Sequence, residues 1–205
     1  ITLFFIYKAG SLVKYKIIFL LIYCSDLFLY YNLSGIRQGI AIAITLYSTK
    51  YIVHKKFLIF MFFVILASTF HLSAFIYLIA YLAYNARINS SKVLLYSIFI
   101  AVISLYIDNI IENLLSFIKN GNLRYYLSIA KTSDDNITNF IIGLIKRSIV
   151  LIVFLILPGK EKYHNKQLIG FIKVYIIGFT MYSLFYTINE DVGIRLSSYF
   201  LILDT

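Results

Sequence analysis

The chain has 205 residues, 61% of them hydrophobic and only 14% charged, which is far more apolar surface than a soluble core of this length can hide, so a bilayer is the expected solvent. A formal net charge of +10 would suggest nucleic acid in a soluble protein, but the lysines stand mostly in the joints between apolar runs, as the positive-inside rule describes, and nucleic acid is not an expected partner. The lone Cys24 excludes an intramolecular disulfide and a multi-cysteine metal site, and the lack of ten-residue segments of alternating polarity excludes an outer-membrane barrel.

In chain order the apolar runs fall at 17–33, 37–53, 57–84, 93–107, 141–157, 168–187 and 194–203. A spanning helix needs roughly 20 mainly apolar residues, so these runs predict an all-α polytopic transmembrane bundle of about 7–8 spans. No linker or internal repeat divides it, and residues 1–205 are read as one integral membrane domain. The chain starts at Ile1 without a Met and stops at Thr205 inside an apolar run, which is the pattern of a piece of a longer protein.

The third run sets the topology. Phe57 to Tyr84 are 28 residues without a formal charge. As one helix they would extend about 42 Å against a hydrocarbon core of about 30 Å. If the run turns around near Phe70-His71-Leu72-Ser73, then Lys8, Lys14 and Lys16, then Lys50, Lys55 and Lys56, then Arg87 and Lys92, then Lys160, Lys162 and Lys166 all face the cytoplasm. A single crossing would send the last two groups outside. A tight pair or re-entrant hairpin is therefore predicted, with its tip buried in protein or lining a wet cavity.

The opposite, outer face then holds the 32–38 joint, the His71 tip, a long loop over 108–140 and the 188–193 joint. The long loop has a net charge of −1, with Lys119, Arg124 and Lys131 against Asp108, Glu112, Asp134 and Asp135. Within it Ile107, Ile110, Ile111, Leu114, Leu115 and Ile118 recur at helical spacing opposite Asp108, Asn109, Glu112, Asn113 and Lys119. This predicts an amphipathic segment near 108–120, ended by Asn120-Gly121 and lying flat on the outer surface.

Few residues in so apolar a chain can carry chemistry. Arg37 opens a helix on which Ala41, Thr45 and Ser48 share its stripe, facing the bundle interior. A guanidinium at a helix N-terminus suits a diphosphate, because it forks onto two oxygens while the backbone N–H groups and the dipole add to the field. The plainer reading is an arginine snorkelling to headgroups. His71 lies in the middle of the uncharged run, where a polar group is costly unless used, and it titrates in the range that suits a general base for a sugar hydroxyl. Its plainer role is a hydrogen bond within the bundle, through Ser73 or Thr69. Lys146 and Arg147 interrupt the 137–157 run, either as further cations for an anionic substrate or simply as the start of a helix. Arg124 and Arg195 fall on the same predicted outer face, where the cations would converge. Glu112, Glu190 and Asp191 are reserve bases in polar segments, and Asp26 reads as an inter-helix partner. The three histidines, His54, His71 and His164, are far apart in sequence; no metal site and no cofactor is expected.

Ser34-Gly35-Ile36-Arg37-Gln38-Gly39-Ile40-Ala41, followed about thirty residues later by Ala67-Ser68-Thr69-Phe70-His71-Leu72-Ser73-Ala74, resembles the EpsG-like branch of Wzy polymerases. The likeness covers roughly residues 30–85, and Arg195 followed by Tyr199 is similar to a late helix start in that family. The resemblance implies a glycosyltransferase-type polymerase in the bacterial inner membrane. On its outer face, undecaprenyl-diphosphate-linked oligosaccharide units would be joined into an O-antigen, capsule or exopolysaccharide. On this reading His71 is the catalytic base, and Arg37, Gln38, Arg124, Lys146, Arg147 and Arg195 contact substrate. Membrane lipid and the flippase and chain-length regulator of the same pathway are the implied partners. The competing class is a transporter or flippase of lipid-linked oligosaccharide, for which intramembrane Arg and His would be translocation groups. A carrier of that kind should show paired inverted repeats, and none is evident. A membrane acyltransferase, the third class, would need an early Arg and His spacing that is not matched.

Overall fold

The computed structural model describes residues 1–11, 16–23, 35–87, 90–104, 134–156, 166–186 and 189–201, and these form helices and no strand. The amphipathic segment predicted near 108–120, Arg124 and Asp26 lie outside the described residues. The helices are α1 (Thr2–Gly10), α2 (Lys16–Tyr23), α3 (Ile36–Val53), α4 (Phe57–Phe70), a 3₁₀ helix (Leu72–Tyr77), α5 (Leu78–Asn85), α6 (Ser90–Ser104), α7 (Asp134–Ile156), α8 (Lys166–Tyr186) and α9 (Glu190–Leu201). The chain divides into two compact units, Ile1–Ala86 with Ser198–Thr205, and Arg87–Ser197.

In the first unit α3 packs along α4, and α1 packs on α3. Small residues make the close approach possible: Ala41, Ala43, Thr45 and Ser48 are all fully buried on α3. Aromatic rings fill the rest of the seam. Phe63 of α4 lies 5.4 Å from Tyr51 and 5.3 Å from Tyr47, and Phe5 of α1 adds a ring 5.6 Å from Tyr47. Hydropathy does not announce α1, which at nine residues is too short to span and carries Lys8 in its last turn.

The joint between α3 and α4 is a Schellman turn. Lys55 N–H donates to the Ile52 carbonyl at 3.1 Å and Lys56 N–H to the Tyr51 carbonyl at 2.9 Å, satisfying the last carbonyls of α3. The geometry requires a left-handed residue, and Lys55 supplies it with φ 56°. The place is one glycine ordinarily takes.

The uncharged run turns back on itself as the charge pattern predicts. α4 ends at Phe70, His71 is extended (φ −148°, ψ 116°), and the 3₁₀ helix starts at Leu72. Beyond it the chain retraces α4: Tyr77 lies 5.8 Å from Phe60, and Tyr81 lies 5.5 Å from Phe60 and 4.9 Å from Phe57. The midpoints of these pairs lie between residues 68 and 71, and with α4 ending at Phe70 the extended His71 is the tip of a helical hairpin. Ser68 and Thr69 weaken α4 there by turning their hydroxyls onto the carbonyls of Ile65 and Leu66, at 2.6 and 2.7 Å. The outgoing limb has 14 residues, about 21 Å of helix. That is shorter than the roughly 30 Å of a hydrocarbon core.

In the second unit α8 packs on α6 and α7. α8 is the one helix among the described residues long and apolar enough to cross a membrane. α7 starts at Asp134, ahead of the apolar run at 141–157, so the last residues of the segment read as a loop over 108–140 are helical. Hydropathy misses this first turn because it is polar, whereas a helix N-terminus favours acidic residues. Lys146 and Arg147 therefore stand mid-helix and do not open it. Two glycines set the packing. A Cβ on Gly143 would collide with the Tyr182 hydroxyl, and one on Gly193 would come within 2.5 Å of the backbone N and Cα of Tyr186.

Candidate functional site

The first unit gathers three of the residues singled out by sequence. Gln38 stands in the first turn of α3, buried, and its Nε2 reaches Ser198 Oγ of α9 at 3.5 Å. The next residue on α9, Tyr199, is fully buried and its hydroxyl lies 3.0 Å from Ser73 Oγ. Ser73 Oγ in turn lies 2.6 Å from His71 Nδ1, and the Tyr199 hydroxyl is 3.5 Å from the same nitrogen. One turn of α9 thus joins the start of α3 to the hairpin tip, and Arg37, Gln38 and His71 share one end of the unit.

Local structure explains each placement. Half-buried His71 stands at the tip because it is extended between two helices, and Ala74 N–H closes the turn on the His71 carbonyl at 3.0 Å. Arg37 is the second residue of α3, after Gly35 and Ile36, where helix N–H groups point outward. Ala41, Thr45 and Ser48 are buried, as their stripe predicts, but Arg37 itself is exposed. Its stripe points inward along the helix and leaves the protein at the helix mouth.

At the opposite end of this unit, Lys50 lies over the rings of Tyr47 and Tyr51, 3.8 and 4.7 Å from their centroids, and donates to the Tyr47 hydroxyl. Lys55 and Lys56 stand at the same end, on the α3–α4 turn. These three lysines and the His71 tip therefore occupy opposite ends of the α3–α4 pair.

The second unit holds Lys146, Arg147 and Arg195. Arg147 turns inward: its guanidinium lies 3.6 Å over the Tyr182 ring, Nη1 donates to the Gly143 carbonyl at 3.0 Å, and buried Nε has no hydrogen-bond partner. Phe140, Tyr182 and Tyr186 form the buried cluster beneath it. Lys146 is exposed beside it. Arg195 is exposed and bridges to Asp191 at 3.5 Å, one turn earlier on α9. Arg124 lies outside the described residues. Sequence reasoning does not reach the Ser73–Tyr199 join, because the partners are 126 residues apart. A serine two residues after an isolated histidine is the one local hint.

An all-helical fold among the described residues, with α8 of spanning length and a hairpin of uncharged limbs, is consistent with the membrane protein that the family match below indicates. The EpsG family matches residues 1–205, and the chain belongs to that family, the family of Wzy-like polysaccharide polymerases. No curated protein and no solved structure matches the chain.

Proposed function

We propose that this protein joins undecaprenyl-diphosphate-linked oligosaccharide repeat units into a surface polysaccharide, on the outer face of the bacterial inner membrane. Family membership supports the polymerase class, and one observation carries the site. The hairpin sets a histidine at the same end of a helix pair as an arginine on a helix N-terminus, joined through Gln38–Ser198 and Tyr199–Ser73.

In this reading His71 takes the proton of the attacking sugar hydroxyl at Nε2, since Nδ1 is engaged by Ser73. The new glycosidic C–O bond forms at the anomeric carbon of the second unit. The bond from that carbon to the lipid diphosphate breaks, and the electron pair leaves with the diphosphate. Arg37 and the first N–H groups of α3 receive its charge, and Gln38 braces that turn from the buried side. A lipid diphosphate is already a competent leaving group, so the reading calls for no metal. Arg124, Lys146, Arg147 and Arg195 are proposed as further substrate cations, and the full bundle is proposed to have about 7–8 spans as apolar run lengths suggest. The lipid-linked oligosaccharide is the proposed partner, with the flippase and chain-length regulator of the pathway beside it.

The test is His71→Gln, which keeps hydrogen bonding but accepts no proton near neutral pH. Cells carrying it are expected to display single repeat units and no long chains, since a general base supplies about 10²–10⁴ in rate. Loss of all surface glycan, single units included, would point to a flippase. Normal long chains would remove His71 from the chemistry.

A further inference from the structure

We infer that Ser73 and Tyr199 are positioning residues that fix the tautomer of His71, so that its Nε2 is the nitrogen able to accept a proton. The inference rests on the reading of His71 as the base. A neutral imidazole carries one N–H, and it is a base only at the other nitrogen. Nε2 can act only if Nδ1 holds the hydrogen and has an acceptor for it.

Ser73 Oγ is that acceptor, 2.6 Å from Nδ1. A serine hydroxyl, however, donates as readily as it accepts, and a serine that donates to Nδ1 would place the hydrogen on Nε2 and abolish the base. What decides between the two is where the serine proton goes. On this inference the Tyr199 hydroxyl oxygen, 3.0 Å from Ser73 Oγ, takes that proton and turns the serine lone pairs toward Nδ1–H. The reverse order, Tyr199 donating to Ser73 and Ser73 to Nδ1, would leave the hydrogen on Nε2 and is what the experiment below tells apart. During transfer the imidazole then carries both protons, with Nδ1–H still held by Ser73, and neither Ser73 nor Tyr199 gains or loses one.

The arrangement is built stiffly. Ser73 is held two residues from His71 by the turn that opens the 3₁₀ helix, closed by Ala74 N–H on the His71 carbonyl at 3.0 Å. Tyr199 is fully buried, and its neighbours on α9 are anchored on both sides, Phe200 against Tyr77 at 5.7 Å and Ser198 against Gln38 at 3.5 Å. A phenol buried at this depth and aimed at a serine beside the tip histidine can move very little.

The experiment is ¹⁵N NMR of histidine-labelled protein in lipid bilayers, paired with the kinetics of chain growth on undecaprenyl-diphosphate-linked repeat units. The chain has three histidines, and the signals lost in His71→Gln identify those of His71. The expected wild-type signature is the Nδ1–H tautomer. Tyr199→Phe keeps the ring and its packing, and is expected to shift His71 toward the Nε2–H tautomer. Its kcat should fall about tenfold or more, a part of the ~10²–10⁴ of a general base, with KM unchanged. Ser73→Ala should behave in the same way, and Ser73→Thr, which restores a hydroxyl, should recover most of the rate. An Nε2–H tautomer in the wild type, or a Tyr199→Phe spectrum identical to it, overturns the inference. If His71→Gln polymerises normally, the base reading fails, while the spectra still decide whether Tyr199 sets the tautomer.

Discussion

In both units most polar side chains return to the helix they stand on, as Thr45, Ser48, Ser68 and Thr69 do in the first, but the first unit adds side-chain bonds that cross from one helix to another. Ser73 meets Tyr199, Gln38 meets Ser198, and Thr49 meets Tyr77 at 2.8 Å. In the second unit Arg147 bonds the Gly143 carbonyl, Thr180 and Ser183 bond carbonyls one turn back, and Ser197 bonds the Ile194 carbonyl. Tyr175 does cross to α7 at 3.0 Å, but only to a backbone carbonyl of Arg147. Hydroxyls that fold onto their own helix make an apolar environment tolerable and carry no information about neighbours. Those that cross fix which residue of one helix faces which of another. On this contrast the first unit is organised for positions, and the second is held by close approach at glycine.

The largest expected effect tests the second half of that contrast. Gly193→Ala places a Cβ against the Tyr186 backbone, which cannot rotate away as a side chain can, so α9 must move from α8. A loss of roughly 3 kcal/mol is expected, the upper end of overpacking costs, read as a fall in the thermal unfolding midpoint of the purified protein. An unchanged midpoint would mean that the glycine contact is not what holds this unit. In the first unit the next effect should appear in activity and not in stability. Arg37→Lys keeps the charge of an exposed residue and loses the planar fork. About a tenfold drop in polymerisation, equivalent to ~1.4 kcal/mol, is expected at unchanged unfolding midpoint, and a full rate would reduce Arg37 to a membrane anchor. The smallest effect sharpens the division within the first unit itself. Thr49→Val strands the buried Tyr77 hydroxyl away from the His71 end and should cost about 0.6–1 kcal/mol of stability. Chain length should stay as in the wild type. Shortened chains would show that the crossing bonds act as one network.

Much of the helical layout was legible because apolar run length is a direct physical requirement. The runs at 37–53 and 168–187 coincide with α3 (Ile36–Val53) and α8 (Lys166–Tyr186) to within two residues. The hairpin at His71 was legible for a different reason, since the 28 uncharged residues are too long for one crossing and one reversal keeps the flanking basic residues on the same side. Where charge or polarity interrupts a helix, hydropathy loses it. Lys8 hides α1, and the polar residues from Asp134 hide the first turn of α7. Arg37 and His71 stood out as isolated polar groups in apolar surroundings. The bond from His71 to Ser73, named from sequence as its plainer role, is present at 2.6 Å, whereas the pairing of Ser73 with Tyr199 was hidden because it depends on tertiary structure that no local pattern encodes. The inward turn of Arg147 was equally hidden, although Gly143 one turn earlier supplies both the carbonyl it bonds and the space for Tyr182.

The discontinuity of the first unit also bears on how the protein is made. Ser73 leaves the ribosome 126 residues before Tyr199. At ~5–20 residues per second the interval is roughly 6–25 s. Throughout it, the hairpin exists without the one turn of α9 that joins it to the start of α3. The helix pair and its tight turn are local and can form at once, while the histidine end must wait for Ser198 and Tyr199 to be threaded in. The site is therefore completed only once α9 has been made, and a nascent chain stalled before Ser198 would be inserted, folded in large part, and inert.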